Sequence, residues 1–130
     1  MTAVVRGDDA PQYSAPGGAR IIGNASPSLG SRELASWRVQ LDPATATPAH
    51  SHDHEEVFHI ISGPIRAEVG GETLALNAGD TLIIPAGILH QVFPGEGSED
   101  GAVEGLAVMP AGSHSITPDG TDTGVPPWLQ

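Results

Sequence analysis

Turn-forming residues interrupt this chain at short, regular intervals, and no long element can form between them. Asp42-Pro43, Gly63-Pro64, Gly70-Gly71, Asn77-Ala78-Gly79-Asp80, Pro85-Ala86-Gly87 and Pro94-Gly95 separate short apolar runs. Glycine supplies positive φ, proline presets φ, and Asn or Asp caps locally, so each group closes a turn. The runs between them predict strands over 20–23, 34–41, 57–61, 65–69, 73–76, 81–84, 90–93 and 103–109. With 17 Gly and 12 Pro in 130 residues and only 4% aromatics, helices are disfavoured. The expected fold is all-β, a small antiparallel barrel or jelly roll with irregular N- and C-terminal tails.

The runs alternate. In 34–41, Ala35, Trp37, Val39 and Leu41 share one side while Ser36, Arg38 and Gln40 share the other; in 65–69, Ile65, Ala67 and Val69 oppose Arg66 and Glu68. The polar sets either face solvent or line a pocket inside the barrel. Three segments follow from these patterns. Residues 1–19, which lack periodicity, read as a flexible arm or an added edge strand, residues 20–110 as the barrel, and residues 111–130 as an extended tail. Trp128 and Leu129 are too apolar for a free end and are expected to anchor that tail to the barrel wall or to a partner subunit.

Composition removes several chemistries. The chain has no cysteine, and its five basic residues are all arginine, which excludes thiol nucleophiles, disulfides, zinc-thiolate knots and Schiff-base lysines. A net charge of -11 opposes nucleic-acid binding. The N-terminus lacks an apolar signal core and no run spans a bilayer, so the expectation is a cytoplasmic protein with no membrane partner.

Four of the six histidines fall within ten residues: His50, His52, His54 and His59. Positions two apart on a strand point the same way, which sets the His50 and His52 imidazoles about 7 Å apart on one face. Glu56 keeps their parity, and His90 ends a different run. Neutral imidazoles with one carboxylate suit Fe, Mn, Ni, Co or Zn, and leave coordination positions open for chemistry. His54 shares the parity and is expected at the pocket mouth, where it or Glu56 could move protons. His59 has the opposite parity and is expected outside. Phe58, Ile60 and Val92 are the expected apolar wall beside the metal.

The segment His50-Ser-His52-Asp-His-Glu-Glu56, then six residues and Gly63, together with Gly79, Pro85-Ala-Gly87 and His90, resembles the two motifs of the cupin superfamily. The likeness runs from Leu34 to Pro110. It departs at Ala44, where the first motif usually opens with Gly, and at Pro94, where the second usually closes with Asn. The resemblance implies that His50, His52, Glu56 and His90 bind one divalent transition metal inside the barrel, and that the chain forms a homodimer.

Three functions are compatible with such a site: a metal-dependent dioxygenase-type oxidoreductase, a non-redox isomerase, lyase or cyclase of the polyketide-cyclase kind, and a small-ligand-binding module without turnover. The first is the leading expectation, with a small oxygen-rich organic molecule as substrate.

Overall fold

The computed structural model describes residues 2–130, and its regular structure is almost entirely strand. Twelve strands follow in chain order: β1 (Gln12–Ser14), β2 (Arg20–Ala25), β3 (Leu34–Leu41), β4 (Ser51–His52), β5 (Glu56–Ser62), β6 (Ile65–Val69), β7 (Glu72–Leu76), β8 (Thr81–Ile84), β9 (His90–Pro94), β10 (Val103–Pro110), β11 (Ser115–Ile116) and β12 (Asp122–Gly124). No helix is long and apolar enough to cross a membrane. All eight expected strands are present within two residues of their expected ends. The additional strands are two or three residues long, too short for periodicity to register.

A six-stranded antiparallel sheet runs β1-β2-β3-β10-β5-β8, and a three-stranded sheet runs β7-β6-β9. The core lies between their inner faces. Alternation decides which residues enter it: Ala35, Trp37, Val39 and Leu41 of β3 are buried, as are Val103, Ala107 and Met109 of β10, and Ile65 and Ala67 of β6. The polar sets of β3 and β6 therefore face outward. On that outer face Arg20 donates to Gln40 and to Asp42, while Gln40 donates to Glu104.

Gly105 shows how tightly the inner layer is packed. A Cβ at this position would sit 2.1 Å from Phe58 Cζ, so only glycine lets β10 pass over that ring. The arrangement presses Phe58 toward the barrel interior.

Both terminal segments are more structured than composition suggests. Residues 12–14, in the region read as a flexible arm or an added edge strand, form the edge strand β1 on β2, and Ala15 and Ala19 are buried. The tail is not extended throughout. It turns at Pro118-Asp119-Gly120, and β11 and β12 form a hairpin that joins β4 in a second three-stranded sheet, β12-β11-β4. Beyond it Leu129 is fully buried, Trp128 lies 6.0 Å from Tyr13 between ring centroids, and Ser28 donates through N–H and hydroxyl to Gln130 O. These anchors lie within the same chain.

Ala44 adopts φ 67°, the left-handed region where a Cβ is strained, which gives a physical reason for glycine at this motif position. Ala44→Gly is expected to raise stability by up to about 1 kcal/mol, the left-handed penalty being partly offset by glycine's greater unfolded entropy. Thermal melting measures this, and a clear loss of stability would contradict a strained Ala44.

Candidate metal centre

Backbone pairing assembles the site before any side chain contributes. His50 N donates to His90 O at 3.1 Å and His90 N to His50 O at 2.8 Å, an isolated antiparallel bridge that sets the two residues opposite each other. Thr47 N donates to Val92 O, and Val92 N to the Thr47 hydroxyl, which zips the same segment onto β9. His52 is held from two sides. Gly87 N donates to His52 O at 2.8 Å, so the second motif grips the first, and β11 places Ser115 beside His52 in register. Glu56 enters from β5, one turn of chain later.

The imidazoles of His50, His52 and His90 meet at the barrel floor, with at least one nitrogen of each within 4.8 Å of the others. His50 Nδ1 donates to Pro48 O at 2.5 Å and His90 Nδ1 to Ile88 O at 3.0 Å. These bonds fix both tautomers and leave each Nε2 with a free lone pair. Glu56 Oε1 stands 3.4 Å from His52 Nδ1 and 3.5 Å from His90 Nε2. His52 Nδ1 and Glu56 Oε1 are both buried without a hydrogen-bond partner. An unpaired buried polar atom costs about 1–3 kcal/mol, and two side by side call for a ligand. A nitrogen lone pair and a carboxylate oxygen facing one space fit a divalent cation by charge and by donor chemistry.

Electrostatics match that reading. Burial pushes the His52 imidazole down to about 4 despite the opposing Glu56 charge, and burial, aided by His90, also lowers His50. Glu56 stays below its ordinary value, since the surrounding histidines outweigh its burial. At His90, burial lowers the value, but the Glu56 carboxylate outweighs it and the net shift is upward. At 3.5 Å this is a charge contact more than a well-made hydrogen bond.

The histidines form one end of a cavity of about 390 Å³ whose other walls are mostly apolar. Phe58 and Val92 line it, as their strand parity requires. Ile60 does not: it is fully buried in the core and is not part of the cavity lining. Nor does His54, the expected proton carrier. The chain bends at Asp53, leaving His54 half-exposed with Nδ1 donating to Asp53 Oδ1 at 2.9 Å. The same Asp53 oxygen accepts from His114 N, and these partners outweigh burial to lower the Asp53 carboxyl. His59 lies outside on β5, bonded to the Thr81 hydroxyl. His114 pairs with Asp122 across the tail hairpin.

Sequence reasoning missed the far wall. Trp37 lines the cavity from β3, and Ser115, Thr117, Thr123 and residues 124–128 close it from the tail. The apolar Trp128-Leu129 pair was the available signal, but nothing local indicated which surface it meets.

The model of the cupin domain matches residues 37–109, more than half of the chain. The protein belongs to the cupin family. This cupin is similar to germin-like protein 3-8 of Oryza sativa subsp. japonica, 31% identical over 70 residues that make 49% of this chain and 31% of that one. It thus spans less than a third of that relative's length. Among solved structures it is similar to the polyketide cyclase RemF of Streptomyces resistomycificus, with a TM-score of 0.73, 19% identity, and 99% and 90% of the two chains covered. It is also similar to a predicted oxalate decarboxylase of Thermotoga maritima, with a TM-score of 0.66, 22% identity, and 81% and 96% covered. At these identities the likeness is one of fold.

The lowered His52 value makes stability pH-dependent in the metal-free protein. The unfolded imidazole takes a proton near 6.5, whereas the folded one resists until about 4, so acidification favours the unfolded chain across that window. His50 acts in the same direction, and the raised His90 opposes both. The melting temperature of metal-free protein is expected to fall between pH 6.5 and about 4, with His52→Gln flattening the fall. Equal slopes for the two proteins would show that His52 is not buried as a neutral ring.

Proposed function

We propose that this cupin is a metal-dependent enzyme acting on a small, partly apolar organic molecule with oxygen donors, and that His50, His52, Glu56 and His90 hold its metal. The observation that carries the proposal is the pair of unpartnered buried atoms, His52 Nδ1 and Glu56 Oε1, among three converging imidazoles at the closed end of an apolar cavity. A divalent ion there would supply Lewis acidity or, if redox-active, a seat for dioxygen.

The protein's own groups supply the rest. His50 and His90 are oriented by the Pro48 and Ile88 carbonyls, so their Nε2 lone pairs stay fixed toward the site. Glu56, ionised and buried, is the group placed to take a proton from a substrate hydroxyl or enol. Phe58, Val92 and Trp37 exclude water and hold the apolar part of the molecule.

Two reaction classes share this geometry. Three imidazoles and one carboxylate would leave two positions on an octahedral ion, enough for one substrate oxygen and dioxygen, which favours a dioxygenase-type oxidoreductase. The end-to-end likeness to the polyketide cyclase RemF, tail included, favours a non-redox cyclase or isomerase. Metal analysis of the isolated protein with oxygen-electrode measurements separates them. Iron with substrate-dependent oxygen uptake assigns the first class, whereas zinc and no uptake assigns the second.

His52→Ala is expected to lose most of the bound metal and, with it, the metal-dependent part of the melting temperature, because a ligand of the folded state stabilises by mass action. Full metal retention in that variant would refute the assigned ligands. We further propose a cytoplasmic homodimer, consistent with the exposure of Ile61 on β5 and of Ile83 on its edge neighbour β8, where Ile83 lies opposite Val57. A monomer by light scattering at micromolar concentration would refute the dimer.

A further inference from the structure

The polar and the apolar lining of the cavity are built by different parts of the chain. The three histidines and Glu56 cluster together, with Ser115 of β11 opposite His52 in the register adding one hydroxyl. The aromatic rings of Trp37, Phe58 and Trp128 line it from β3, β5 and the tail. The threonine hydroxyls that line the remaining wall already have partners within the chain. Thr123 donates to Ser115 O, Thr117 bonds Asp119 and Thr121 in its own turn, and the Thr47 hydroxyl accepts from Val92 N. A molecule in this cavity therefore finds its free polar partners at the histidine cluster only.

Charge narrows the class further. Among the described residues no arginine lines the cavity, and the chain contains no lysine. A phosphate, or any second anionic group beyond the histidines, would be buried against tryptophan and proline without a counter-charge, which is costly. Flat apolar rings meet the opposite situation, because aromatic faces gain both burial and oriented ring contacts there.

Trp128 is the movable choice in this wall. Trp37 and Phe58 belong to the central sheet, but Trp128 sits in a three-residue turn, Pro127–Leu129, laid on the barrel. Its position is set by Leu129 buried on one side and by Tyr13 of β1 on the other. The ring can thus vary without altering the sheet that carries the histidines.

We propose that Trp128 is a specificity-determining residue of this site, selecting uncharged, flat aromatic molecules whose oxygen donors face the histidines and rejecting phosphorylated ones or any whose charge lies beyond the histidines. The orientation of the ligand rests on the metal-dependent reading above; the stacking wall does not.

The test is calorimetric titration of the full chain, zinc-loaded and chelator-stripped, with three probes: juglone, a flat neutral hydroxyketone; oxalate; and a hexose phosphate. Juglone is expected to bind the loaded protein more tightly than the hexose phosphate, and Trp128→Ala to weaken juglone by roughly tenfold or more, in the range of a buried tryptophan contact. The same substitution should leave oxalate unchanged, since oxalate reaches only the histidine cluster. Trp128→Phe keeps most of the juglone affinity. Trp128→Leu, which retains apolar volume and keeps the tail seated, loses it, so the test stands even where the alanine variant unfolds. Juglone affinity indifferent to Trp128→Leu, or a hexose phosphate binding more tightly than juglone, overturns the proposal. The metal reading fails differently. If zinc does not bind, juglone still binds the stripped protein in a Trp128-dependent manner.

Discussion

Three imidazoles and a carboxylate sit at the bottom of an apolar barrel, and their removal from water is the cost around which the structure is arranged. Burial depresses His50 and His52, so these rings are held neutral and able to donate a lone pair. The carbonyls of Pro48 and Ile88 each accept a hydrogen bond from the Nδ1–H of His50 and His90, which turns the Nε2 of those rings inward. What the protein itself does not satisfy is concentrated at one point, between His52 and Glu56. A barrel of this size tolerates such a defect only where something else completes it.

Much of this was legible in the sequence, and the reasons are specific. Strand parity places His50 and His52 on one face, and Glu56 and Phe58 on the inward side of their strand, because the period of two survives in strands as long as β3 and β5. His90 was legible through its spacing from Pro85 and Gly87. Parity failed where the chain leaves strand geometry. His54 follows a bend imposed by Asp53, whose carboxylate caps the His114 N–H from a segment sixty-one positions away. Ile60 obeyed parity and still missed the cavity, since parity sets the face of a strand and not the depth along it.

The terminal segments were the least legible part. Alternation cannot be seen in a strand of two residues, so β11 was invisible although it places Ser115 beside His52. Pro, Gly and Asp in the tail correctly mark turns, but a turn does not say whether the chain continues outward or folds back. The hairpin exists because β4 offers an unpaired edge beside the site, and the tail covers it. The barrel rim and the roof of the cavity are thus a single construction.

Trp37 and Trp128 are the two tryptophans of the chain, and both border the cavity. All indole fluorescence of this protein therefore originates from walls of the cavity that holds the candidate metal centre. An open-shell ion such as iron or manganese offers excited indoles a quenching route that closed-shell zinc lacks. The light emitted by the folded chain accordingly carries information about the electronic configuration of whatever ion the histidines hold.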